Sequence, residues 1–99
     1  MQVHNIVTNN NGTQVIKMRQ DAKGYTPNNF TVKVGQPVEW VIESTNSNVC
    51  SASLYSEKLK INQYLKIGQN TINFTPGEAG IIPFSCSMGM YRGSIEVVN

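Results

Sequence analysis

Apolar and polar residues alternate in short runs along most of the chain, and Gly, Pro and Asn interrupt the runs at intervals typical of all-β proteins. In Phe30-Thr31-Val32-Lys33-Val34, the residues Phe30, Val32 and Val34 fall on one face and Thr31 and Lys33 on the other. That is the pattern of a strand with one wet side. Gly35-Gln36-Pro37 reverses the chain, and the next run repeats the alternation with Val38, Trp40 and Ile42 inward and Glu39 and Glu43 outward. Trp40 is the expected central aromatic of the core. Thr13 to Gln20 is an earlier strand, Asn70 to Thr75 a later one. The last third is the most regular: Ile82, Phe84 and Cys86 share a face of one strand, and Ile95 and Val97 point inward from the terminal one.

Between these runs the pattern is weaker. Asp21 to Gly24 and Tyr25 to Asn29 read as turns, and Ser44 to Asn48 reads as a polar loop that delivers the chain to Cys50. If a strand begins there, Cys50 shares its face with Ala52 and Leu54. From Ser56 to Ile67, the residues Leu59, Ile61, Leu65 and Ile67 fit either a short strand or a helical turn at the sheet edge. The Asn-rich start reads as loosely held. Together these elements give about seven or eight short strands, enough for an all-β, two-sheet Greek-key β-sandwich. The expected organisation is one domain over residues 1–99, with 1–12 loosely ordered.

Charge excludes one class of partner. Eight basic and six acidic residues are scattered to a net +2, with no basic stripe of the kind that tracks nucleic acid. Lys58, Lys60 and Lys66 form the one local excess, and a solvated face accounts for them. No apolar stretch is long enough for a transmembrane helix, and the start lacks the charged, apolar and small-residue order of a signal peptide.

The chemistry lies in sulfur. Phe84-Ser85-Cys86-Ser87-Met88-Gly89-Met90-Tyr91-Arg92-Gly93 places a cysteine and two of the four methionines within five residues. A thiol beside two thioethers is a soft donor set, suited to Cu(I). Gly89 lets the backbone turn so that both thioethers can converge. The plain alternative is that Met88 and Met90 fill the end of the core. The second cysteine, Cys50, is separated from Cys86 by 35 residues and lies at another expected strand end. In a Greek-key sandwich such ends can meet. A Cys50–Cys86 disulfide and a thiolate metal site are both open readings, and they are compatible as two oxidation states of one pocket. Zinc fits less well, because thioethers are poor substitutes for its Cys and His ligands. His4 is the single histidine, so the two imidazoles of a blue-copper centre are not available. A Cys-His catalytic pair suffers the same shortage, and the expectation is a non-enzymatic protein.

From about Val15 to Val98 the chain resembles the cupredoxin family. Tyr25 to Trp40, with its proline, aromatic and glycine hairpin, is similar to the early strand pair of small copper proteins. Asn70 to Pro76 followed by Gly80 resembles their sixth strand and turn, and the strand entering Cys86 with its Gly-Met step resembles their ligand loop. By that resemblance Cys86 corresponds to the copper thiolate and Met90 to the loop methionine. Cys50 falls where the family places its first histidine, and Met88 where a shortened loop replaces the second. The metal set implied is Cys50, Cys86, Met88 and Met90. Met18 stands near the end of the first strand as a further sulfur, with core packing the ordinary reading, and Tyr25 is an apolar neighbour of the site.

The loop looks like that of a bacterial subgroup with Cys-x-Met-Gly-Met and a cysteine in the earlier position. Such domains resemble modules attached to metal transporters or exporter-like membrane proteins. The resemblance implies a copper-binding module, with copper held as Cu(I) and handled, transferred or exported outside the cytoplasm. The setting is periplasmic or cell-surface, with a membrane tether compatible with the full-length protein. A membrane metal transporter or a copper-transfer protein is the implied partner. An electron-transfer cupredoxin with a sulfur-rich centre is the alternative, and a disulfide-stabilised interaction domain without metal is a third class.

Overall fold

The computed structural model describes residues 7–10, 12–46 and 52–99, with side chains from residue 12 onward. They form a β-sandwich of ten strands: β1 Val7–Asn10, β2 Thr13–Asp21, β3 Gly24–Thr26, β4 Asn29–Lys33, β5 Val38–Ser44, β6 Ser53–Ser56, β7 Ile61–Tyr64, β8 Gly68–Phe74, β9 Gly80–Cys86 and β10 Arg92–Val98. One sheet runs β1-β2-β5-β8 with β3 also on β2; the other runs β4-β10-β9-β6-β7. Two pairings are parallel, β2 with β5 and β4 with β10, and they join strands distant in sequence.

The alternation read from the sequence becomes the inner face of each sheet. Ile16, Phe30, Val32, Val38, Trp40, Ile42, Leu54, Phe84 and Ile95 are all at most 2% exposed. Full burial of an aliphatic or aromatic side chain contributes about 1.5–3 kcal/mol, so this layer carries much of the fold's stability. Trp40 sits against Phe84 with ring centroids 4.8 Å apart, and Tyr25 meets Phe84 edge-on at 5.6 Å. Phe84 therefore joins the two sheets two residues before Cys86.

The structure adds to the sequence reading at three places. Of the start expected to be loosely ordered, residues 1–6 and 11 lie outside the described residues, and residues 7–10 form β1, whose backbone pairs with β2 from Val7↔Ile16 to Asn10↔Thr13. Ladder hydrogen bonds need no apolar side chains, so an Asn-rich segment can serve as an edge strand. Tyr25, read within a turn, lies on β3 and pairs with Gln20. The ambiguous stretch contains a strand, β7, on the sheet edge. Leu65 beyond it is fully buried, whereas Ile67 is 61% exposed.

Candidate metal centre

Cys86 ends β9 and has no exposed surface. Leu54 lies opposite it across β6, and Arg92 lies opposite Ser85 at the start of β10. Residues 87–91 thus connect two adjacent antiparallel strands, and the backbone closes on itself around the cysteine. The Cys86 amide donates to the Tyr91 carbonyl at 3.0 Å, the Gly89 amide to the Cys86 carbonyl at 2.9 Å, and the Met90 amide to Cys86 Sγ at 3.2 Å. Gly89 supports this turn at φ +74°, a conformation that disfavours any side chain.

The loop presents its two thioethers outward. Met88 is 76% exposed and Met90 66% exposed, which overturns the reading that they fill the end of the core. A methionine so exposed gains little from packing. Met18 is the opposite case: at 3% exposure it belongs to the central apolar cluster, as the packing reading expects.

Cys86 is disulfide-bonded in this structure. Cys50 and His4 lie outside the described residues. The chain enters β6 beside Cys86, where the Ser87 amide donates to the Ser53 carbonyl at 2.9 Å and the two serine hydroxyls hydrogen-bond to each other. Among the described residues no three His, Cys, Asp or Glu side chains gather where they could hold a metal ion.

Three supports of this region escaped the sequence reading. Tyr91 lays its ring against Gly24, where an added Cβ would come within 2.9 Å of Tyr91 Cδ1, and its hydroxyl donates to the Ala22 carbonyl at 3.2 Å. This ties the sulfur loop to the β2–β3 turn of the opposite sheet. Gln20, fully buried, accepts from the Ser44 hydroxyl, while its Nε2 donates to the Asn46 carbonyl at 2.9 Å and its own carbonyl receives the Thr45 amide at 2.9 Å. Gln20 so anchors the chain where it leaves β5 on its way to Cys50. Arg92 Nε donates to the Gly89 carbonyl at 3.1 Å. The only signal for Gln20 in the sequence is a polar residue on the inward face of a strand. Tyr25, beneath Phe84, has its phenol pKa pushed up by burial, so the ring stays neutral and acts as apolar cover.

Comparison with known proteins gives the family and the fold. The chain is similar to the metal-binding domain of the Cu(I)-exporting P-type ATPase CopA of Streptococcus pneumoniae D39, solved with Cu(I). Identity is 31%, the match covers 94% of this chain and 93% of that one, and the TM-score is 0.86. A copper-binding protein solved in its apo form is 26% identical, with 93% and 94% of the two chains covered and a TM-score of 0.84. Auracyanin B, 11% identical over 96% of this chain and 95% of its own, shares the fold with a TM-score of 0.66. No curated protein sequence is similar enough to count as a match. The family model described as a cupredoxin-like domain matches residues 2–97. Fold, sulfur loop and sequence profile converge on one conclusion: the chain belongs to the cupredoxin-like domain family.

Proposed function

We propose that this domain binds copper as Cu(I) through Cys50, Cys86, Met88 and Met90, and that it receives and passes on the ion without catalysing a reaction. The observation that carries this reading is the paired placement on one short connection: a buried cysteine sulfur at its base and two solvent-facing thioethers around it. Thiolate and thioether together select a soft monovalent ion, and the 66% and 76% exposure of the methionines leaves them open to an incoming one. The likeness to a domain solved with Cu(I) supports the same metal. A blue-copper electron-transfer centre would need two imidazole ligands, and the sequence holds one histidine.

The disulfide at Cys86 adds a condition. A thiolate is the metal ligand, so loading follows reduction: a dithiol gives two electrons, the protein S–S bond breaks to two thiols, and the reductant leaves as its own disulfide. A structural disulfide also suits an oxidising compartment, which supports copper handling outside the cytoplasm, with a membrane transporter or a copper-transfer protein as partner.

Anaerobic titration of the reduced protein with Cu(I) against a competing chelator tests the reading. Changing both Met88→Leu and Met90→Leu is expected to lower affinity by about tenfold or more, which corresponds to about 1.4 kcal/mol. Because both side chains are exposed, the melting temperature should stay within about 4 °C of the parent. Unchanged affinity in the double variant would remove the thioethers from the site.

A further inference from the structure

The sulfur loop is held from one side by a cation. Arg92 Nε donates to the Gly89 carbonyl at 3.1 Å, and a Cβ built on Gly89 would meet Arg92 Nη2 at 3.6 Å, ordinary van der Waals contact. The guanidinium therefore lies along the glycine between the two methionines. No carboxylate among the described residues forms an ion pair with Arg92. Its interaction is with the loop backbone, at the peptide from which Met88 and Met90 diverge.

We propose that Arg92 is a positioning residue of the metal loop: by holding the Gly89 carbonyl it sets the direction in which the Met88 and Met90 thioethers point. This rests on the sulfur-site reading above. The Met90 amide is already committed to Cys86 Sγ at 3.2 Å, and Gly89 is in a left-handed conformation. The Gly89 carbonyl is the other end of the same planar peptide group, so this peptide is clamped from both sides, by sulfur at its amide and by the guanidinium at its carbonyl. A charge-assisted hydrogen bond there fixes it more firmly than a neutral one. Glycine at this position has the widest conformational range of any residue, so a hold from outside the turn adds to the turn's own hydrogen bonds.

The test is a double-mutant cycle read in Cu(I) affinity and in the Met88 and Met90 ε-methyl NMR shifts on Cu(I) loading. Arg92→Ala should weaken Cu(I) binding about tenfold, the scale of one hydrogen bond to a charged group, and reduce the Cu(I)-induced methyl shifts. Arg92→Lys, which keeps a donor and a charge, should recover part of both. In the Met88→Leu, Met90→Leu background, Arg92→Ala should cost nothing further. Affinity within about twofold of the parent in Arg92→Ala, or an equal loss in both backgrounds, would overturn the proposal, the latter by assigning Arg92 a general charge effect. If the parent itself fails to bind Cu(I), the sulfur-site reading falls first and the role of Arg92 with it.

Discussion

Cys86→Ser is expected to reduce Cu(I) affinity by at least about a hundredfold. Structural Zn²⁺ in four-ligand zinc-finger sites binds with roughly 10–16 kcal/mol, and on that scale one ligand carries about 3 kcal/mol, with each 1.4 kcal/mol worth tenfold. A hydroxyl is a hard donor and a poor exchange for a thiolate at a soft metal. The site around the position is unforgiving as well. Cys86 has no exposed surface, and the Met90 amide is directed at its sulfur at 3.2 Å. A shorter, harder side chain changes both the donor and the hydrogen bond that shapes the loop. Because the substitution also removes the disulfide, the comparison belongs in reducing buffer, where parent and variant alike lack the cross-link. Competition titration alongside a thermal melt separates loss of a ligand from loss of the fold. An affinity within a few-fold of the parent would place the metal elsewhere.

Gly93→Ala is expected to be the most destabilising single methyl addition near the site, by about 3 kcal/mol, at the upper end of ordinary overpacking. A Cβ at Gly93 would come within 2.3 Å of Phe84 Cζ and 2.4 Å of the Asn28 carbonyl oxygen. Neither neighbour can yield cheaply. Phe84 is 2% exposed and wedged between Trp40 and Tyr25, and the Asn28 carbonyl is held by the Ser94 amide at 2.9 Å. Backbone separation of β9, β10 and the entry to β4 is what remains. For a domain of this size the melting temperature should fall by about 12–24 °C. Gly77→Ala is the control, since an added Cβ there meets nothing within 4 Å. A Gly93→Ala melt close to that control would contradict the close approach on which the loop's frame depends.

Much of the framework was legible because several strands each have one wet face. Phe30 and Val32 in β4, Val38, Trp40 and Ile42 in β5, and Ile82, Phe84 and Cys86 in β9 fall at every second position, and the structure buries them all. The alternation fails where a strand is short or at an edge. Ile61 to Tyr64 in β7 is never fully buried on either side, so its pattern is shallow, and β3 is made of Gly24, Tyr25 and Thr26, residues that read as a turn. Such strands exist because a neighbour offers ladder hydrogen bonds, which the local sequence does not record.

The same division applies to the site. Cys86, Met88 and Met90 are close in sequence, so their proximity was legible; the exposure of the methionines was not, because it depends on which way the loop turns. Tyr91 reaches Ala22 across 69 positions and Gln20 reaches Asn46 across 26. Contacts of that span leave no periodic trace. Arg92 was visible only as a residue following the loop, and its role emerges from the Gly89 carbonyl it holds. Cys50 was assigned by its resemblance to a ligand position and lies outside the described residues.

The most direct test of a sulfur-held copper is the X-ray absorption spectrum of the reduced, Cu(I)-loaded protein, which counts the neighbours of the metal by element. A sulfur-held ion gives a shell made of sulfur alone, with thiolate and thioether contributions, and loses part of it in the Met88→Leu, Met90→Leu variant. A shell dominated by nitrogen or oxygen, or one indifferent to those methionines, would contradict it.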